Sequence, residues 1–175
     1  MSLKFVARST LLLMAGILVS ANVFAGVFRD FDGQSKEISD FAGDGKWRVV
    51  MIWASDCHIC NQEAHQYVRF HEQHRDKDAR VLGISMDGKE KQKEAKEFIS
   101  RHKLNFPNLI GEPEEVAMHY MKLTGSEWVG TPTFLIYTPN GELVVKQEGA
   151  VPVDLIEGFM KSWKPKTATN PDKSS

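Results

Sequence analysis

Two cysteines three positions apart, Cys57 and Cys60, constrain this chain more than any other feature of its sequence. They are the only cysteines in 175 residues, so an internal disulfide can join only these two. They follow an apolar run, residues 49–54, that is typical of a buried strand, and they open a stretch with helical character. The N-terminus of a helix has unpaired N–H groups and a partial positive charge. Because both stabilise a thiolate, the pattern indicates a redox-active pair in which Cys57 is the nucleophile.

The first 25 residues predict export from the cytoplasm. Lys4 and Arg8 form a basic segment, residues 11–19 are apolar, and Val23-Phe24-Ala25 offers a cleavage site. The uncharged stretch over residues 9–28 is also about as long as a membrane span, so an uncleaved anchor is the alternative. In both cases we expect the rest of the chain in a periplasmic or otherwise exported compartment, where disulfides persist.

Composition narrows the class of protein. The chain is 42% hydrophobic and 26% charged, which fits a globular domain with an ordinary core rather than a small scaffold held together by disulfides. Removal of residues 1–25 changes the formal net charge from −1 to −3, and no basic block indicates nucleic-acid binding. We therefore expect one domain over residues 26–163 and a polar, disordered tail over residues 164–175.

Strands and helices alternate along this domain. Strands are predicted over residues 47–54, 80–86, 133–137 and 142–147, a short extended piece over 104–110, and helices over 59–74, 90–102, 114–122 and 153–163. The turn at Pro139-Asn140-Gly141 makes the last two strands an antiparallel hairpin. The order predicts an α/β sandwich with a mixed central sheet flanked by helices.

Several motifs resemble one protein superfamily. Residues 53–60, W-A-S-D-C-H-I-C, resemble the W-A-x-W-C-x-x-C segment of the thioredoxins, and Glu63 completes a C-x-x-C-x-x-E pattern. Residues 130–136, G-T-P-T-F-L-I, resemble the strand that carries the thioredoxin cis-proline. Over residues 27–162 the chain resembles the exported branch that includes the TlpA-like, ResA-like and cytochrome c maturation thioredoxins. Residues 81–122 resemble the strand and helices that this branch inserts before the cis-proline strand.

The resemblance implies a thioredoxin-like fold and an exported thiol–disulfide oxidoreductase. Cys57 would attack a substrate disulfide, Cys60 would resolve the mixed disulfide, and Glu63 would accept or relay a proton. The residues implied to bind substrate are Thr131, Pro132, His58 and Trp53. The implied partners are exported protein thiols or disulfides, such as apocytochrome cysteines, and a membrane protein that donates or accepts electrons. No organic cofactor, metal or nucleic acid is implied.

Two residues depart from the family pattern. Asp56 stands where the family usually has a tryptophan, and a carboxylate there would oppose formation of the Cys57 thiolate. Met51 stands at the position of the buried acid of plain thioredoxin, which leaves Glu63 or water to move the proton. The direction and potential of the reaction therefore stay open, and we expect reduction of protein disulfides ahead of oxidation.

Other functions compete with this interpretation. A thiolate pair and a histidine suit copper, but the thioredoxin-fold copper carriers use C-x-x-x-C and a distant histidine. A thiol peroxidase would place its cysteine in a T-x-x-C context, where this chain has residues 54–57, A-S-D-C. Zinc would need two further ligands. His71 and His74 lie more than two turns beyond Cys60 along the same helix, and we expect them on a solvated face.

Overall fold

The computed structural model describes residues 26–165, so the predicted export signal and most of the predicted tail lie outside the described residues. The strands are β1 (Phe28–Asp30), β2 (Ser35–Lys36), β3 (Trp47–Trp53), β4 (Ala79–Ser85), β5 (Asn108–Ile110), β6 (Thr133–Tyr137) and β7 (Leu143–Glu148). The helices are α1 (His58–His74), α2 (Gln92–His102), α3 (Pro113–Thr124) and α4 (Val153–Ser162). The strands form one sheet in the order β2-β1-β5-β4-β3-β6-β7.

The central strand β3 is buried along its whole length because both faces of the sheet are covered. Its side chains alternate between the two faces. Val49 and Met51 face a core that includes residues of α1, α2 and α4, whereas Val50 and Ile52 face a second core that includes residues of α3. Strand β4 runs parallel to β3, and β6 runs antiparallel to it. The predicted mixed sheet flanked by helices is confirmed.

Helix α1 carries an apolar stripe that holds it on the sheet. Its buried residues are Cys60, Ala64, Tyr67, Phe70 and His71, and apart from the adjacent last two they recur at intervals of three or four. The helix begins one residue earlier than predicted, at His58, with Cys57 as its N-cap. Helix α2 begins at Gln92, two residues later than predicted.

The hairpin of β1 and β2 has no counterpart in the predicted elements. Strand β1 has three residues and β2 has two, which is too short for an alternating pattern to stand out. Strand β1 pairs antiparallel with β5 and extends the sheet beyond it. Among residues 26–165, no helix has the length and apolar character needed to cross a membrane.

Strand register brings three chain segments to one edge of the sheet. Trp53 at the end of β3 pairs with Ser85 at the end of the parallel β4. Ile52 pairs with Thr133 at the start of the antiparallel β6. The segments that leave β3 and β4 and the segment that enters β6 are therefore neighbours, and the C-x-x-C pair follows β3 at this edge.

Candidate redox site

Cys57 and Cys60 form a disulfide at the start of α1. As the N-cap, Cys57 has an extended backbone, and its Sγ accepts a hydrogen bond from the Cys60 N–H at 3.0 Å. Cys60 is completely buried, whereas Cys57 is partly exposed. Since an incoming thiolate must reach the sulfur that it attacks, the geometry leaves Cys57 to react with partners and Cys60 to react internally.

A buried carboxylate holds the turn that precedes Cys57. Asp87, just beyond the end of β4, accepts hydrogen bonds from the Ser55 N–H at 3.1 Å and from the Ser55 hydroxyl at 2.8 Å. It also accepts one from the Ser85 hydroxyl at 2.7 Å, and its own N–H donates back to that hydroxyl at 3.1 Å. Asp87 is 6% exposed. The turn is thereby fixed to the neighbouring parallel strand.

An asparagine in the first turn of α1 holds the same segment from the other side. The Asn61 side-chain amide donates to the carbonyl of Ser55 at 3.2 Å and to that of Cys57 at 2.9 Å. Its carbonyl oxygen accepts from His102 Nε2 at 2.8 Å and from Arg101 at 3.3 Å, both at the end of α2. Asp87 thus binds the N–H of Ser55, and Asn61 binds the carbonyls of Ser55 and Cys57.

The carboxylate next to Cys57 has a cationic partner. Asp56 is exposed, and its Oδ2 forms an ion pair with Lys91 Nζ at 2.8 Å. The hydrogen bond from Lys91 lowers the pKa of Asp56, and the same contact raises the pKa of Lys91. Lys91 therefore offsets part of the repulsion that Asp56 was expected to exert on a thiolate at Cys57.

Glu63 lies one turn beyond Cys60 and is partly buried. Its carboxylate accepts a hydrogen bond from Gln66, whose side chain also contacts the backbone of Val151 and Val153. Burial, and after it the negative charge of Glu63, raises the pKa of Tyr67. Its predicted role in proton transfer stays a prediction.

The segment that enters β6 lies at the same edge of the sheet as the C-x-x-C pair. The Thr131–Pro132 peptide bond is cis. Pro132 is buried, Thr131 is partly exposed, and the Pro132 carbonyl accepts from the Gly149 N–H at 2.9 Å. These residues lie beside the end of β3 because Thr133 pairs with Ile52. Their predicted role in binding an extended substrate segment stays a prediction.

Of the other two residues predicted to bind substrate, one requires correction. Trp53 is fully buried: its ring stacks on Phe98 with centroids 4.2 Å apart, and its indole N–H donates to Asn108 at 3.3 Å. A side chain without exposed surface cannot contact a protein substrate, so Trp53 belongs to the core. His58 is exposed, and its Nε2 lies 3.1 Å from the side-chain amide of Gln62.

The two histidines weighed as zinc ligands lie at the far end of α1. His71 is 6% exposed, contrary to the predicted solvated face, and its Nδ1 accepts from the Val81 N–H at 3.0 Å. His74 contacts Asp78 at 2.7 Å and Glu157 at 3.3 Å. Within residues 26–165, no group of three or more histidine, cysteine, aspartate or glutamate side chains is arranged to hold a metal ion.

Sequence reasoning missed the residues that hold the site in place: Asp87, Asn61, Lys91 and His102. Asp87 follows the strand that runs parallel to β3, and the carboxyl ends of neighbouring parallel strands meet at one edge. That rule gives a signal for Asp87. For Asn61, Lys91 and His102 the sequence offers none, because their contacts depend on how α2 packs beside α1.

The chain is similar in sequence to known proteins. The model of the AhpC/TSA family matches residues 20–146. A thiol-disulfide oxidoreductase ResA from Oceanobacillus iheyensis is 28% identical over 185 residues, which cover 93% of this chain and 90% of that protein.

Solved structures show the same fold. The thioredoxin domain of a thiol-disulfide oxidoreductase from Bacteroides vulgatus superimposes with a TM-score of 0.60 at 23% identity, over 75% of this chain and 88% of that domain. StoA from Bacillus subtilis superimposes with a TM-score of 0.59 at 18% identity, over 77% of this chain and 94% of its own. The predicted resemblance to thioredoxin-like oxidoreductases is confirmed, and the chain belongs to the AhpC/TSA family.

Proposed function

We propose that this protein is an exported thiol–disulfide oxidoreductase that reduces disulfides in other exported proteins. The observation that carries the proposal is the Cys57–Cys60 disulfide at the N-terminus of α1, with the first cysteine partly exposed and the second buried. The reduced Cys57 thiolate attacks a substrate disulfide, a mixed disulfide forms, and Cys60 then displaces the substrate thiol. Each cycle oxidises this pair and reduces the substrate.

The helix terminus favours Cys57 as the attacking sulfur. The Cys60 N–H that reaches Cys57 Sγ at 3.0 Å can donate equally to a thiolate, and the partial positive charge of α1 acts in the same direction. Cys60 lies one turn further in and is enclosed, so it meets the mixed disulfide only after Cys57 has reacted. This division of labour is what a two-cysteine reductase requires.

Glu63 and the segment at Pro132 complete the proposed mechanism. Glu63 takes the proton that Cys60 loses during resolution, directly or through water. The backbone of Thr131, a partly exposed residue, receives an extended substrate segment by strand addition, which needs little sequence preference. His58 lies exposed on the same surface and contacts the bound segment.

Export follows from the predicted signal over residues 1–25 and from the compartment in which such a pair works. We assign the mature protein to the periplasm or an equivalent exported compartment, starting at Gly26. A membrane protein supplies its electrons, and the ResA-like resemblance favours apocytochrome cysteines among its substrates.

Trapping with single-cysteine variants tests the proposal. Full-length protein, exported and reduced, is mixed with a peptide that contains one intramolecular disulfide. Cys60→Ser should accumulate a mixed disulfide with the peptide, Cys57→Ser should not, and the wild type should release the reduced peptide. Non-reducing electrophoresis and mass spectrometry identify the species.

Three results would contradict the proposal. Equal trapping by both variants would remove the distinction between the two cysteines. Stoichiometric copper binding without any disulfide reduction would favour the copper carrier. Rapid turnover of hydrogen peroxide that needs Cys57 but not Cys60 would favour a thiol peroxidase.

A further inference from the structure

Asp87 holds the turn over residues 54–57, which we call the redox turn, with a carboxylate that acts only as a hydrogen-bond acceptor. Its oxygens receive the Ser55 N–H and the hydroxyls of Ser55 and Ser85 at 2.7 to 3.1 Å. A carboxyl group surrounded by donors in this way is the ionised form. Asp87 is 6% exposed, so its negative charge is enclosed in protein. Its hydrogen-bond partner Ser55 lies two residues before Cys57 in the sequence.

The cleft beside this carboxylate is acidic. The other charged side chains that line it are Asp56, Glu90, Lys91, Glu112 and Glu114. Lys91, the cation of this cleft, forms its ion pair with the exposed Asp56 at 2.8 Å and not with Asp87. On the α1 side, the charged and titratable groups are the exposed His58 and, bonded to Asn61, Arg101 and His102 of α2. Asp87 is the one among these carboxylates that is bonded directly to the redox turn.

We propose that Asp87 is a positioning residue of the redox pair: its buried carboxylate fixes the turn that carries Cys57, and its charge favours the disulfide over the dithiol. The inference rests on the proposed thiol–disulfide activity and deepens it. The oxidised pair carries no charge, whereas the reduced pair includes a thiolate at Cys57. A fixed negative charge in a poorly solvated site disfavours that thiolate. Asp87 thereby makes the reduced pair a stronger donor of electrons.

The quantity that reports this effect is the equilibrium with glutathione. Two glutathione molecules lose two electrons and two protons and form the S–S bond of oxidised glutathione. The Cys57–Cys60 disulfide accepts those electrons and protons and becomes the dithiol, and Cys57 then releases one proton to solvent when it ionises to the thiolate. The equilibrium constant of this exchange measures how strongly the site holds the oxidised form.

The test compares Asp87→Asn with the wild type and with a matched control. Asparagine keeps the size of the side chain and one acceptor oxygen but removes the charge. The control is Asp30→Asn, because Asp30 also caps a turn, accepting from the N–H groups of Asp32 at 3.1 Å and Gln34 at 2.8 Å. Asp30 lies on β1, three strands away from β3 in the sheet.

We expect Asp87→Asn to raise the equilibrium constant for reduction by about tenfold, which corresponds to about 30 mV for a two-electron couple. The pH at which the alkylation rate of Cys57 reaches half its maximum should fall in the same variant. Asp30→Asn should change neither this pH nor the equilibrium constant. A constant within twofold of the wild type in Asp87→Asn, with lowered stability alone, would reduce Asp87 to a structural residue.

If Asp87→Asn does not fold, Ser55→Ala decides the matter. It removes one donor from the same carboxylate and leaves its charge less neutralised, so the constant should fall by about twofold to threefold. An unchanged constant in that variant contradicts the role of Asp87. A wild-type disulfide that neither glutathione nor dithiothreitol reduces would instead overturn the proposed activity itself.

Discussion

Both ends of helix α1 carry side chains that could titrate or bind a metal ion, and the two ends use them differently. At the N-terminal end, Cys57 and Glu63 lie on partly exposed surface next to a turn held by hydrogen bonds. At the C-terminal end, His71 is enclosed in the core, and both nitrogens of His74 face carboxylates. Residue type alone would have made either end a candidate site.

The difference lies in what each side chain has left to offer a ligand. His71 uses Nδ1 to accept the Val81 N–H, and its ring contacts Phe106. Cys57, in contrast, is partly exposed, and the Cys60 N–H at the start of the helix reaches its Sγ at 3.0 Å. Enclosure makes one end structural, and partial exposure at a helix terminus makes the other end reactive.

The largest effect that we predict at the structural end is on acid stability. Burial lowers the pKa of His71 to about 4, against about 6.5 in the unfolded chain. Between these values the unfolded state binds a proton that the folded state does not, so the free energy of unfolding falls as pH falls. The loss from pH 6.5 down to pH 4 should be on the order of 3 kcal/mol.

Urea unfolding across this pH range measures the loss, and His71→Gln identifies its source. Glutamine keeps an acceptor for the Val81 N–H but does not titrate. We expect that variant to be less stable at pH 7 and to lose the part of the slope that His71 contributes. An unchanged slope in His71→Gln would assign the acid sensitivity to other groups.

At the reactive end, Glu63→Gln should slow resolution of the mixed disulfide by about 10²-fold, the low end for general base catalysis. The fold and the alkylation of Cys57 should be preserved, because the amide keeps the size of the side chain. The deficit should shrink as pH rises and Cys60 ionises without help. Stopped-flow reduction of a model disulfide over a pH series provides the measurement.

The matched control for Glu63→Gln is Glu72→Gln, an exposed carboxylate at the other end of the same helix. It changes net charge by the same amount and should leave the rate unchanged. Equal rates for Glu63→Gln and the wild type at every pH would make Glu63 a residue that fits the family pattern without acting in catalysis.

The fold and the reactive pair were predictable because their signals are local. An apolar run, a C-x-x-C pair and a helical stripe follow one another within about 25 residues, and the segment at Pro132 repeats a known pattern. The supports of the pair were not predictable in the same way. Asp87 and Ser55 are 32 positions apart, and Asn61 and His102 are 41 apart. Only the register of the sheet and the packing of α2 bring them together.

His71 and Trp53 show the same limit from the opposite side. A histidine in a polar stretch looks solvated, and a tryptophan next to a reactive motif looks like a contact for substrate. The structure buries both, because α1 turns His71 toward Val81 and α2 covers Trp53 with Phe98. Whether a side chain is buried depends on which helices and strands pack against it. The residues next to it in the sequence do not specify that packing.

Asn61→Ala should have a smaller effect than the changes at His71 and Glu63. It leaves the carbonyls of Ser55 and Cys57 without their side-chain donor and separates the turn from α2. We expect a loss of about 1–2 kcal/mol in the free energy of unfolding, measured with urea at pH 7. Asn105→Ala is the matched control, since Asn105 donates to the Val68 carbonyl at an exposed position on the middle of α1. Equal losses in both variants would show that the redox turn does not depend on Asn61.

The smallest effect should come from the ion pair between Asp56 and Lys91, although Asp56 is the residue next to Cys57. Both side chains are more than half exposed, at 68% and 54%, so water and salt screen their charges. Asp56→Asn should therefore change the glutathione equilibrium by less than about threefold, and the change should disappear at about 1 M salt, where the screening length is about 3 Å. Lys91→Gln should shift the equilibrium in the opposite direction, and the double variant should return close to the wild-type value. A shift larger than that of Asp87→Asn, or one that persists at high salt, would mean that proximity to the sulfur outweighs burial.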